Sequence, residues 1–228
     1  MKVLAIVQAR MGSNRLPGKV MKALDGHPMI YHTVTRLQKA RYVDEVILAT
    51  SNKEGDTPLA DYITELGFKV FRGDEENVLE RYKLASDLYG GDIIIRVTGD
   101  CPLLDPIVVD HVITRFMIMN QDYIRLDVPN TFIRGFDVEV FSKEALDRAY
   151  KLVTDSDLSE DEQAGMYTEH VTYYMYTHPQ IFKVGYVKGD MPVDADYNLS
   201  VDTLDDFNRA SKFIHESGYK SILENINK

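Results

Sequence analysis

Residues 8–19, QARMGSNRLPGK, gather three cations, Arg10, Arg15 and Lys19, and two glycines, Gly12 and Gly18, directly behind the apolar run KVLAIV. Guanidinium groups pair with phosphate oxygens through two hydrogen bonds, and an ammonium adds a compact charge. Glycine lets backbone N–H groups close in on the same ligand. The set suits a polyphosphate, since three cations offset much of the roughly −4 charge of a nucleoside triphosphate. A Walker A loop needs G-x-x-x-x-G-K-[ST]. Here five residues separate Gly12 from Gly18 and Val20 follows Lys19, so the metal-binding hydroxyl is missing. A G-x-G-x-x-G fingerprint is absent too. On residue chemistry alone, a solvated surface turn is the alternative reading.

Two carboxylates complement the loop. Asp100 ends the run DIIIRVTGD, and Asp202 follows YNLSV. Carboxylates from two strand ends can share a Mg²⁺ that also takes phosphate oxygens and water. The competing roles are a turn residue for Asp100 and a helix N-cap for Asp202. Asp105, before Pro106 and a helical run, reads as a cap. Asp194 and Asp196 form a D-x-D pair that reads as solvated loop in a chain with 36 acidic residues.

Parallel strands buried on both faces read as short apolar runs, and KVLAIV (2–7), EVILAT (45–50), FKVF (68–71) and DIIIRV (92–97) are such runs. Helical spacing fills the gaps at 28–40, 57–67 and 77–90. This β-α-β alternation predicts an α/β fold, a Rossmann-like, mostly parallel sheet flanked by helices. Ligands then bind beyond the carboxyl ends of the strands, where 8–19 and Asp100 both fall. After about residue 120 the pattern changes. FDVEVFS (136–142) alternates as a strand with one exposed face, 142–153 is helical, and 154–165 is an acidic loop. An aromatic helix is expected at 167–179, strands at 180–187 and 197–203, and a closing amphipathic helix at 204–218. The organisation expected is one domain over 1–228, with 120–200 a partly inserted substrate and dimerisation subdomain.

The formal net charge of −10 argues against general nucleic-acid binding, which needs a basic face. A single cysteine, Cys101, excludes an intrachain disulfide. The apolar run before Gln8 is short for a signal peptide, and no stretch reaches the length of a membrane span. The expectation is a soluble, cytoplasmic protein with no membrane partner.

QARMGSNRLPGKV (8–20), GDEENVLERY (73–82), RVTGDCPLLDP (96–106), RGFDVEVFS (134–142), EHVTYY (169–174) and LSVDTLDDF (199–207) resemble, in order, the sugar-acid cytidylyltransferases. The branch they resemble is the spore coat polysaccharide biosynthesis protein F family, akin to the 3-deoxy-manno-octulosonate and acylneuraminate cytidylyltransferases. The resemblance implies a nucleotide-diphospho-sugar transferase fold with a small dimerisation subdomain. It also implies CTP and a sugar or sugar acid as substrates, Mg²⁺ as cofactor, pyrophosphate as product and a homodimer. By motif match, Arg10, Arg15 and Lys19 hold the triphosphate, with Ala9, Gly12 and Ser13 near the nucleotide. Asp100 and Asp202 hold the metal, and Arg10, Arg15, Lys19 and Asp100 form the catalytic set. The same match brings Asn77, Glu80 and Arg81 toward the nucleotide, with surface pairing as their alternative. Arg96 is expected at the nucleotide or sugar acid, or else in a buried ion pair. Arg134, Asp137, Glu139 and His170 are candidates for the sugar, with Glu169 beside His170. Tyr167, Tyr173, Tyr174 and Tyr176 read as core or interface. The octulosonate enzymes carry I-P-A-R and G-D-E-P where this chain has Val7-Gln8-Ala9-Arg10 and Gly99-Asp100-Cys101-Pro102, which leaves the sugar open. A glycosyltransferase of the same fold using a nucleotide-sugar donor, or a non-catalytic nucleotide-binding partner subunit, are the rival functions.

Overall fold

The computed structural model describes residues 1–155, 163–189 and 198–217. The pair Asp194 and Asp196 and most of the acidic loop 154–165 lie outside the described residues.

The expected strands form at β1 (Val3–Gln8), β4 (Glu45–Ser51), β5 (Lys69–Gly73) and β6 (Ile93–Thr98), and a separate short hairpin of β2 (Ala23–Leu24) and β3 (His27–Pro28) falls between β1 and β4. Helices α1 (Met29–Gln38), α2 (Thr57–Glu65), α3 (Val78–Tyr89) and α4 (Pro106–Met119) alternate with them. Beyond α4 come β7 (Tyr123–Leu126), β8 (Glu139–Ser142), α5 (Lys143–Asp155), α6 (Ala164–Glu169), α7 (Tyr173–Thr177), β9 (Val184–Val187) and α8 (Leu204–Ser217). One seven-stranded sheet runs in the order β5-β4-β1-β6-β8-β7-β9. The first four strands are parallel, β8 is antiparallel to both its neighbours, and β9 runs parallel to β7. The architecture is thus the mostly parallel, helix-flanked sheet that the sequence predicts, and the strands of 120–200 extend that same sheet.

Strand side chains alternate between faces, and each face has its own core. Val3, Ala5, Val7, Ile95 and Val97 pack with α1 and α4 residues such as Val34, Val109 and Ile113. Leu4, Ile6, Ile94, Tyr123 and Phe141 pack with Leu79 and Tyr82 of α3, Leu146 of α5, Tyr167 and Tyr174. After β1 the chain moves outward to β4 and β5, then returns to the other side of β1 as β6. The order therefore reverses between β1 and β6, and a crevice opens at their carboxyl ends.

Three elements differ from expectation. The helix expected over 167–179 is two short helices, because His170 is extended at the end of α6 and Val171 and Thr172 turn the chain before α7. Thr172 spends its hydroxyl on the Glu139 carboxylate at 3.0 Å, which fixes that turn. The strand expected at 136–142 begins only at Glu139, since Asp137 folds back to accept the Gly135 N–H. Of the strand expected at 197–203, the described residues form a single bridge, Asn198 to Arg134. The strand β7 has no counterpart in the sequence reading.

Candidate active site

The loop after β1 folds on its own backbone. Gly18 and Ser13 both donate to the Met11 carbonyl, and Gly18 sits at φ +67°, a left-handed position that costs glycine little. A single helical turn, Lys19–Met21, follows and turns the Lys19 side chain inward, where it is 8% exposed. The loop after β6 lies against it. Gly99 N–H donates to the Gln8 carbonyl, and a Cβ at Gly99 would stand 2.7 Å from that of Ala9. Only glycine permits this approach, and it brings Asp100 alongside the cationic loop.

Lys19 is the hub. Its ammonium donates to Asp100 Oδ2 at 3.1 Å, Asp202 Oδ1 at 2.9 Å and the Val201 carbonyl at 2.7 Å. All three of its donors are used. Arg15 adds a second cation to Asp202 at 2.7 Å, and Arg10 pairs with Glu75 at 3.2 Å. The segment bearing Asp202 is held by the Val201 N–H on the Asp100 carbonyl at 2.8 Å. Asp202 does not cap α8. Thr203 and Asp206 do so, the Thr203 hydroxyl accepting from the Asp206 N–H while the Asp206 carboxylate accepts from the N–H of Thr203. The alternative cap role for Asp202 is thereby excluded, whereas Asp105 caps α4 as expected, accepting from Ile107 N–H.

These residues line a cleft of about 720 Å³ that also takes in Ala9, Gly12, Ser13, Arg81, Thr98, Glu169 and His170. Arg10, Arg15, Lys19 and Arg81 face five carboxylates there, Glu75, Glu76, Asp100, Glu169 and Asp202. The cations are already balanced, so a triphosphate needs a further positive charge. Carboxylate oxygens suit a hard divalent cation, and magnesium commonly takes one or two of them and fills its shell from phosphate and water. Asp100 and Asp202, which meet on one ammonium, fit that pattern. Among the described residues no cluster of three or more His, Cys, Asp or Glu could hold a metal by itself.

A smaller cleft of about 100 Å³ adjoins at Thr98, which lines both. It holds Arg96, Asp137 and Glu139, together with Arg125. Arg96 pairs with Glu139 at 2.5 Å and donates to Gln8 Oε1 at 3.0 Å. Glu139 also accepts from Tyr123 Oη at 2.7 Å and from Thr172. Burial alone would raise the Glu139 carboxyl, but the Arg96 charge and these hydrogen bonds outweigh it and hold it below its ordinary value. Asp137 is displaced the opposite way: burial pushes it up, against the Gly135 N–H, and the Glu139 charge adds to the rise. Asn77 lines neither cleft and caps α3 by accepting from Glu80 N–H. Arg134 lines neither and is exposed. Tyr167 and Tyr174 lie in the core.

A mixed α/β sheet with a cationic loop and two aspartates at its switch point defines a nucleotidyltransferase. Residues 4–216 match the sequence profile of the cytidylyltransferases. The chain is 36% identical to an uncharacterized protein of Methanocaldococcus jannaschii, over 91% of this chain and 81% of that one. It is 32% identical to the spore coat polysaccharide biosynthesis protein SpsF of Bacillus subtilis, over 95% of this chain and 88% of that one. A solved cytidylyltransferase from Leptospira borgpetersenii superposes with a TM-score of 0.87 at 28% identity, covering 100% of this chain and 93% of its own. The chain belongs to the cytidylyltransferase family and is a CTP-dependent nucleotidyltransferase.

Proposed function

We propose that the protein transfers CMP from CTP to a hydroxyl of a sugar acid or related sugar in glycan biosynthesis, with release of pyrophosphate. The observation that supports this most is the convergence of Arg10, Arg15, Lys19, Asp100 and Asp202 in one cleft beside Gly99. The incoming triphosphate takes over Arg10 and Arg15 from Glu75 and Asp202. Lys19, now paired with Asp100 and Asp202, turns a donor to the leaving phosphates as those carboxylates take up the metal. Ala9, Gly12 and Ser13 border the nucleotide. Asp100 and Asp202 would hold a Mg²⁺, whose charge screens the phosphates and stabilises the departing pyrophosphate. The rest of the catalysis is positioning and charge neutralisation, as in phosphoryl transfer generally. The sugar end lies toward Thr98 and the smaller cleft, near Asp137, Glu139 and Arg96, with His170 at the rim of the larger one. No helix among the described residues is long and apolar enough to cross a membrane, and the reaction belongs in the cytoplasm with its CTP.

The test is pyrophosphate release with CTP, UTP, ATP or GTP against a panel of sugar acids and neutral sugars, with Mg²⁺. CTP with an acid should give the fastest release. Equal rates for all four nucleotides, or release only from a nucleotide sugar, would sink the reading.

A further inference from the structure

One row of side chains crosses four strands of the sheet. Arg96 on β6 stands opposite Glu139 on β8, Glu139 opposite Arg125 on β7, and Arg125 opposite Tyr186 on β9. Directly opposed residues share a face, so the order along that face is cation, anion, cation, aromatic. The single carboxylate between the two guanidiniums is committed to Arg96 and to the hydroxyls of Tyr123 and Thr172. No carboxylate of the described residues lies within ion-pair distance of Arg125. Its guanidinium instead lies over two rings, 4.7 Å from the centre of Tyr176 and 5.2 Å from that of Tyr186. Such stacking holds the planar group in place; the Tyr186 hydroxyl takes one of its five N–H donors and the others remain to meet a ligand.

We infer that Arg125 is the receptor for the carboxylate of the second substrate, gripping it in the small cleft that meets the nucleotide cleft at Thr98. This rests on the proposed function and names a specificity-determining residue for it. A guanidinium edge takes a carboxylate through two parallel hydrogen bonds, and a neutral isostere loses both their charge and their geometry. The cleft volume of about 100 Å³ admits the acid end of a substrate and leaves the remainder to the larger cleft. Arg96 does not compete, because Glu139 already neutralises it. Arg125 therefore discriminates acids from neutral sugars, and Tyr176 and Tyr186 are positioning residues for it.

Pyruvate and pyruvamide, an acid and its neutral amide, test this without knowledge of the sugar. The protein labelled with nitrogen-15 is titrated with each, and the Arg125 Nε–Hε resonance is followed, identified by its loss in Arg125→Lys. A saturable shift is expected with pyruvate and none with pyruvamide. Arg148, which lies over Phe182 on the surface, is the control and should not move. Arg125→Gln, checked by circular dichroism, should bind pyruvate at least about tenfold more weakly. No saturable shift, an equal shift with pyruvamide, or undiminished binding in Arg125→Gln overturns the inference. Should that variant not fold, the comparison of the two ligands on the native protein still decides. Thermal stabilisation by CTP, measured alongside, separates the two ideas: its loss with pyruvate binding intact removes the nucleotide reading, and the reverse removes only the role of Arg125.

Discussion

Lys19→Met replaces the hub ammonium with an apolar chain of similar length. Asp202 keeps Arg15, but Asp100 keeps only a weak contact from the Cys101 thiol. One carboxylate is thus left without a counter-charge. Stripping a partner from a fully buried pair costs about 3–5 kcal/mol. The Asp100 side chain is 26% exposed, so water recovers part of that, and a loss of about 2–3 kcal/mol remains. For a chain of this size the loss lowers Tm by about 5–10 °C. The freed carboxylates should also accept Mg²⁺ without nucleotide. At ten times its Kd, bound metal restores about 1.4 kcal/mol, roughly 3–6 °C. Thermal melts followed by circular dichroism, with and without Mg²⁺, read both effects. A fall of less than about 2 °C, or equal Mg²⁺ stabilisation of native protein and variant, would refute the hub.

Asp100→Asn and Asp202→Asn should each fold and bind CTP weakly, yet release pyrophosphate at least about a hundredfold more slowly, a loss of roughly 2.7 kcal/mol, and near-normal turnover in either would remove it from the site. Glu139→Gln strands the Arg96 charge in a low-dielectric setting and should cost about 3 kcal/mol in denaturant melts at neutral pH. Because the folded Glu139 carboxyl titrates below its unfolded value, its contribution is complete above the unfolded value and fades as acid is added; the variant and native melts should therefore converge toward low pH. Asp137 has the opposite sign: its folded carboxyl titrates high, so it costs stability as pH rises, and Asp137→Asn should gain stability over the native protein at pH 7 compared with pH 4, a gain absent if Asp137 is exposed to water. Light scattering should give about twice the chain mass of 26.1 kDa, with a monomer at micromolar concentration ruling out the expected homodimer.

β1, β4 and β6 were legible because each is a run of mostly Val, Ile, Leu and Ala buried on both faces, whereas β5, an edge strand only partly buried, was marked by the short run FKVF. The cationic loop was legible for a different reason: three cations and two glycines in twelve residues stand out in an acidic chain. Asp100 could be placed from the apolar run before it. Asp202 could be linked to a strand end only by analogy, since the described part of that run makes one bridge. Glu75 was one acid among 36, and nothing local marks it as the partner of Arg10. Arg125 sits in the short run YIRL, whose meaning depends on the register of three other strands, and register is a tertiary property. The break at Val171 and Thr172 depends equally on a distant group, Glu139. The capping box Thr203-Leu204-Asp205-Asp206 was readable, and it would have released Asp202 from its rival role.

The Lys19 contact with Asp202 spans 183 positions. Domains begin to form while synthesis is still under way, and contacts between distant positions close last. β1, β4, β5 and β6 come from the first hundred residues and can pair before the rest emerges. Lys19 meets Asp100 in that assembly but waits for its second carboxylate until residue 202 has left the ribosome. A truncated or half-made polypeptide can therefore hold the cationic loop and much of the sheet while lacking a finished catalytic centre.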